Sequence, residues 1–108
     1  MLKGKTALIT GANGGIGKSI VDLFIKNNAD VICLIRKSDT KFSKHIKKLS
    51  KKITIIEADI TDEDNLKTQV EKAFSNKKKL DILVNNAGKA SGSIIEMTSQ
   101  KNIKEIFN

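Results

Sequence analysis

Four short apolar runs, each followed by a segment with helical spacing, constrain this chain more than any other feature. The runs are Lys5–Thr10, Val31–Ile35, Ile53–Ala58 and Asp81–Asn85. Ala7-Leu8-Ile9, Val31-Ile32-Cys33-Leu34-Ile35 and Ile82-Leu83-Val84 are continuously apolar rather than alternating, which marks strands covered on both faces. Ile16, Ile20, Leu23 and Phe24 recur at helical spacing and predict a helix from Gly15 to Asn27. Phe42, Ile46 and Leu49 form a narrow apolar stripe on a second, mostly charged helix. Thr61-Asp62-Glu63-Asp64 supplies a cap and an acidic first turn for a third, with Leu66, Val70, Ala73 and Phe74 inward and Asn76 to Lys79 ending it. A fourth helix is expected over Thr98–Phe107, capped by Thr98 or Ser99, with Ile103, Ile106 and Phe107 inward. Such alternation predicts an α/β fold, a parallel sheet with helices on its faces, in one domain spanning residues 1–108.

Composition narrows the function classes. Hydrophobic residues make up 39% of the 108 and charged residues 30%, too apolar for a disordered chain. No run approaches the ~18 apolar residues of a membrane span. The N-terminus enters a strand directly, without the pattern of a secretory signal. One cysteine, Cys33, excludes an internal disulfide, and with His45 it is too little for a Cys/His metal cage, so no metal is expected and the cytoplasm is the expected compartment. Net charge is +8, from 20 basic and 12 acidic residues. Arg36, Lys37, Lys41, Lys44, Lys47, Lys48, Lys51 and Lys52 face one acid, Asp39, so this stretch carries +7 and the remainder only +1. Every basic residue but Arg36 is lysine, and the aromatics are four Phe with no Tyr or Trp. A nucleic-acid reader would use more arginine and interleaved aromatics. The run therefore reads as a solvated helix face, with a basic non-catalytic binding module as an alternative; no nucleic-acid partner and no membrane are expected.

Chemistry begins at Thr10-Gly11-Ala12-Asn13-Gly14-Gly15-Ile16-Gly17-Lys18-Ser19, between the first strand and the first helix. Glycines here let the chain turn tightly and let a phosphate reach the amides of a helix N-terminus. Four in seven positions are costly to order, and an ordinary turn does not need them. A P-loop-like nucleotide-binding module is one reading: Gly17-Lys18-Ser19 fits its end, but its first glycine would fall on Ala12, and Asp59 would have to hold the magnesium. The dinucleotide fingerprint Gly-x-Gly-x-x-Gly also requires glycine at Ala12. What remains is Thr-Gly-x-x-x-Gly-x-Gly, carried by Thr10, Gly11, Gly15 and Gly17.

That loop resembles the short-chain dehydrogenase/reductase family. Gly11, Gly14 and Gly17 also suit the family's extended branch, but Leu83-Val84-Asn85-Asn86-Ala87-Gly88 resembles the end of the fourth strand in the classical branch letter for letter. The two motifs, about 75 residues apart, fall at the carboxyl ends of two strands, where ligands of open α/β sheets bind. Asp59-Ile60-Thr61-Asp62 resembles the family segment whose aspartate contacts adenine. The resemblance covers essentially all 108 residues and implies a Rossmann-type doubly wound sheet, about four strands in the order 3-2-1-4. It also implies an oxidoreductase passing hydride between a nicotinamide dinucleotide and a ketone or alcohol. The cofactor site it implies comprises Gly11, Asn13, Gly14, Gly15, Ile16, Gly17, Arg36, Asp59, Ile60, Asn86, Ala87 and Gly88. Members similar in pattern include 3-oxoacyl carrier-protein reductases, and a homo-oligomer is implied for the full-length form.

An NAD site normally has an acid at the end of the second strand. Ile35 holds that position and Arg36-Lys37 follow, while Asp30 and Asp39 are off it. An arginine fork pairs with a 2′-phosphate that an acid would repel, so NADP is expected over NAD. The family's catalytic asparagine, serine and Tyr-x-x-x-Lys have no counterpart here, since the chain has no tyrosine and Asn108 falls short of the asparagine. The 108 residues are therefore expected to be an N-terminal part, cut in the fourth helix and leaving the fourth strand as an open edge. Downstream of Asn108 the gene is expected to encode a Ser and then Tyr-x-x-x-Lys.

Overall fold

The computed structural model describes residues 2–49, 53–59, 61–74, 80–85 and 104–107. The elements in chain order are β1 (Thr6–Thr10), α1 (Gly15–Lys26), β2 (Asp30–Ile35), α2 (Thr40–Leu49), β3 (Ile53–Glu57), α3 (Glu63–Ala73), β4 (Ile82–Asn85) and β5 (Lys104–Phe107). The strands form one sheet in the order β3-β2-β1-β4-β5, and every pairing is parallel.

The continuous apolar runs are buried as expected. All of β1 and all of β2 after Asp30 lie in the interior. Alternate residues point to opposite faces of the sheet. Ala7, Ile9, Val31, Cys33, Ile35 and Val84 pack with Val21 of α1 and with Phe42 and Ile46 of α2. Leu8, Ile32, Leu34 and Leu83 pack on the other face with Leu66, Val70 and Phe74. The sheet is thus wound on both sides, and each fully buried aliphatic side chain contributes roughly 1.5–3 kcal/mol. Burial also pushes the Cys33 thiol up to about 12, which leaves it inert as a nucleophile at neutral pH.

Local signals explain the element ends. α1 closes at Asn27, with Asn28 left-handed at φ 68°; the Asn28 amide donates to the Ile25 carbonyl (2.9 Å) and the Ala29 amide to Phe24 (3.1 Å). These are the two bonds of a Schellman ending, with asparagine in the position glycine often fills. At the opposite end of the sheet from the glycine loop, the Asp81 carboxylate accepts from the Thr6 amide (2.8 Å) while the Asp81 amide donates to the Thr6 carbonyl (2.9 Å). That reciprocal pair locks β4 beside β1.

The structure corrects three expectations. Lys104–Phe107 is a strand, not the end of a helix over Thr98–Phe107; residues 98–103 lie outside the described residues. The order 3-2-1-4 stands, with β5 added outside β4 from Ile82↔Lys104 to Asn85↔Phe107, so the β4 edge is not open. An unpaired apolar edge is a template for any nearby extended segment, and Ile106-Phe107 suit a strand as well as a helix. Finally, Ile16 (64% exposed), Leu23 (56%) and Leu49 (46%) lie outside the core; the α1 core face centres on Gly17 and Val21 instead.

Candidate functional site

The site forms where the carboxyl ends of β1, β2 and β3 meet the starts of α1, α2 and α3. Thr10, fully buried, donates its hydroxyl to the Val84 carbonyl at 3.4 Å, tying the ends of β1 and β4. Gly11 then turns with φ +60°, a conformation that disfavours any side chain. The Ala12 amide donates to the Leu34 carbonyl (3.4 Å) and the Gly14 amide to the Gly11 carbonyl (3.1 Å), which closes the loop.

Gly14 is the N-cap of α1, and no side chain caps this helix or puts a negative charge in its first turn. The first helical bond runs from the Lys18 amide to the Gly14 carbonyl at 2.8 Å. The amides of Gly15, Ile16 and Gly17 therefore precede it and have no acceptor within the helix. A Cβ on Gly14 would already touch the Gly11 carbonyl at 3.4 Å, whereas one on Gly15 would meet nothing within 4 Å. Packing does not require glycine at position 15. The open space lies at the positive end of a helix whose amides lack a protein partner in the helix, and it fits an anion such as a pyrophosphate. Ile16, largely exposed, adds an apolar surface beside it.

The second wall is the turn after β2. Ile35 is buried and its carbonyl accepts from the Ala58 amide at 3.0 Å, so Arg36 and Lys37 emerge at the sheet's rim, both exposed. The Asp59 carboxylate accepts from the Thr61 hydroxyl (2.6 Å) and the Thr61 amide (2.9 Å). Those bonds, with the nearby Arg36 charge, hold its carboxyl below its ordinary value. Asp62 caps α3 by accepting from the Asn65 amide at 3.1 Å.

Asp39 stands in the site although its place in the sequence is wrong for a ribose acceptor. Its Oδ1 accepts from the Phe42 amide (3.0 Å) and so caps α2, while its Oδ2 accepts from Asn13 Nδ2 of the glycine loop (2.9 Å). The Phe42 amide first, then Asn13, with the Lys18 and Lys41 charges, hold its carboxyl below 3.8. The structure thus brings together Gly11, Asn13, Gly14, Gly15, Ile16, Gly17, Arg36 and Asp59; Ile60, Asn86, Ala87 and Gly88 lie outside the described residues. Sequence reasoning missed the Asn13–Asp39 tie. Asp39 before Thr40 is a legible cap signal, but nothing in the sequence reveals a partner 26 positions away.

A pH dependence follows. Asp39 and Asp59 have folded-state carboxyls below the unfolded value of 3.8, so their contribution is fully present above that value and is lost as pH falls through the lowered ones. Acid titration followed by circular dichroism is expected to show no site-linked loss between pH ~5 and ~8 and loss below ~4, and the stability difference between the native chain and a variant that removes either carboxylate should shrink as pH falls through that range.

The geometry disfavours a P-loop reading. Ser19, which would have to face magnesium, instead donates its hydroxyl to the Gly15 carbonyl within α1 at 3.2 Å. The basic run resolves in part into α2, with Phe42 and Ile46 buried and Lys41, Lys44, Lys47 and Lys48 exposed. Among the described residues, no helix is long and apolar enough to cross a membrane.

Known proteins resemble this chain in sequence and fold. The model of the short chain dehydrogenase family matches residues 5–108. The chain is 34% identical to the oxidoreductase UcpA of Salmonella typhimurium, over 99% of this chain and 44% of that protein. It is 32% identical to the 3-oxoacyl-[acyl-carrier-protein] reductase FabG of Thermotoga maritima, over 99% of this chain and 48% of that one. Among solved structures, a hydroxysteroid dehydrogenase from Escherichia coli superposes with a TM-score of 0.82 at 30% identity, covering 93% of this chain and 49% of that one. A 3-ketoacyl-(acyl-carrier-protein) reductase from Brucella melitensis complexed with NADH gives 0.71 at 38% identity, covering 82% and 36%. The chain thus spans less than half the length of the curated relatives it matches here.

Proposed function

Because this chain belongs to the short chain dehydrogenase family, we propose that it carries the dinucleotide site of an NADP-dependent oxidoreductase acting on a ketone or alcohol. The observation that carries this reading is the uncapped, acid-free start of α1 with open space at Gly15, at the carboxyl end of β1 and beside β2, after which the exposed Arg36 follows. In this reading Gly11, Asn13, Gly14, Gly15, Ile16 and Gly17 receive the pyrophosphate, and Asp59 and Ile60 flank the adenine. Asn86, Ala87 and Gly88 belong to the same cofactor site by the family resemblance. When bound, the dinucleotide would supply a hydride to a carbonyl carbon or accept one from the carbinol carbon of an alcohol; this chain's residues bind and orient it. The relative named as a 3-oxoacyl-carrier-protein reductase supports a 3-oxo substrate; for the whole protein we propose a cytoplasmic homo-oligomer.

NADP is favoured because the end of β2 offers Ile35 and Arg36 rather than an acid. A guanidinium fork pairs with a phosphate through charge-assisted bonds. Titrating the chain with NADPH and NADH is expected to show tighter binding of NADPH. Arg36→Gln should weaken NADPH about tenfold and leave NADH within about twofold. Equal loss for both dinucleotides, or a native preference for NADH, contradicts the assignment to NADP.

A further inference from the structure

Asn13 is followed by Gly14, and no other asparagine in the chain precedes a glycine. An asparagine in that setting is chemically labile, because the glycine amide nitrogen can approach the preceding side-chain carbonyl with no Cβ in the way. Asn13 and Gly14 are both exposed, in the loop that leads into the uncapped start of α1. Hydrogen bonds hold both of the reacting groups. The attacking nitrogen, the Gly14 amide, donates to the Gly11 carbonyl at 3.1 Å, and the leaving nitrogen, Asn13 Nδ2, donates to Asp39 Oδ2 at 2.9 Å. Asp39 is fixed in turn by the Phe42 amide at 3.0 Å.

We propose that Asn13 is a site of spontaneous deamidation, restrained by Asp39, whose conversion disables ligand binding at the glycine loop; its effect on binding rests on the reading of that loop as a dinucleotide site. Loss of the Gly14 amide proton to solvent base lets the nitrogen attack Asn13 Cγ. The N–Cγ bond forms, the Cγ–Nδ2 bond breaks, and the side-chain nitrogen leaves as ammonia, taking a proton from solvent. Water then opens the cyclic imide at either carbonyl, giving aspartate or, with an extra methylene in the backbone, isoaspartate. No oxidant or reductant is needed. Either product replaces a donor by a carboxylate that cannot donate to Asp39, so like charges face each other where the tie was. It also adds a negative charge to the loop before the α1 amides, where a pyrophosphate would sit.

Incubating the 108-residue chain at mildly alkaline pH and mapping its peptides by mass spectrometry reads the conversion of each asparagine separately. Asn13 should convert first. Asp39→Ser still caps α2 but has no second oxygen for Asn13, so Asn13 should convert about three- to tenfold faster with the other asparagines unchanged. Gly14→Ala places a Cβ in ordinary contact with the Gly11 carbonyl at 3.4 Å, and Asn13 should then convert about tenfold more slowly. Calorimetry of the converted chain, and of Asn13→Asp, should show NADPH affinity at least about tenfold below native. Conversion at Asn13 no faster than at the other asparagines overturns the modification site. An unchanged rate in Asp39→Ser, or a rise shared by every asparagine, overturns the restraint. A converted chain that binds NADPH as the native chain does overturns the effect on the site. Conversion as expected in a native chain that binds neither NADPH nor NADH overturns the dinucleotide reading and that effect with it, and leaves the modification standing.

Discussion

Replacing Gly15 by aspartate is expected to abolish dinucleotide binding while leaving the chain folded, and by most measures more stable. A Cβ at position 15 meets nothing within 4 Å, so the side chain has room. Glycine inside a helix costs about 0.5–1 kcal/mol relative to residues with a side chain. A carboxylate in the first turn gains about 0.3–1 kcal/mol from the helix dipole, and α1 has no acid there. Every local contribution thus favours the folded variant. The same carboxylate occupies the approach to the Gly15, Ile16 and Gly17 amides and places a negative charge where a pyrophosphate would sit. Loss of two charge-assisted bonds, each worth about 1.5–3 kcal/mol, lowers affinity by at least ~100-fold. Thermal melting with and without NADPH is the measurement: a melting point equal to or above that of the native chain, with the ligand-induced rise gone. A variant that melts higher and still binds within threefold of native would place the ligand elsewhere.

The two-sided burial of β1 and β2 was readable because parallel strands between helices have no polar face to alternate with. Gly11 was readable as well, since a left-handed turn after a strand leaves few other choices. What the sequence conceals is of two kinds. The Asn13–Asp39 bond joins residues whose proximity depends on two strands and two helices having packed first. Lys104–Phe107 carries apolar residues compatible with either helix or strand, and the free edge of β4 decides between them. Ile16 and Leu23 illustrate a third limit: helical spacing identifies a helix, but the face that is buried is set by the sheet beneath it.

The 108-residue chain alone is expected to turn over no carbonyl substrate, even with dinucleotide bound. Hydride transfer to a ketone leaves an alkoxide that needs a proton, and the family's donor is a tyrosine; this sequence contains none. Cys33 is no substitute, being buried with its thiol pushed up to about 12. General acid catalysis of this kind contributes ~10²–10⁴-fold. NADPH oxidation measured with the purified chain and a panel of 3-oxo substrates should not exceed that of the Gly15→Asp variant. Turnover clearly above that control would show that these residues hold a proton donor of their own.

The central claim, that the glycine loop and the start of α1 form a dinucleotide site rather than a nucleoside-triphosphate site, is tested most directly by calorimetry of the 108-residue chain with NADPH, NADH and ATP, each with and without magnesium. The account predicts saturable NADPH binding at one site, unaffected by magnesium and tighter than NADH, with no magnesium-dependent binding of ATP. Magnesium-dependent ATP binding with neither dinucleotide bound would contradict it.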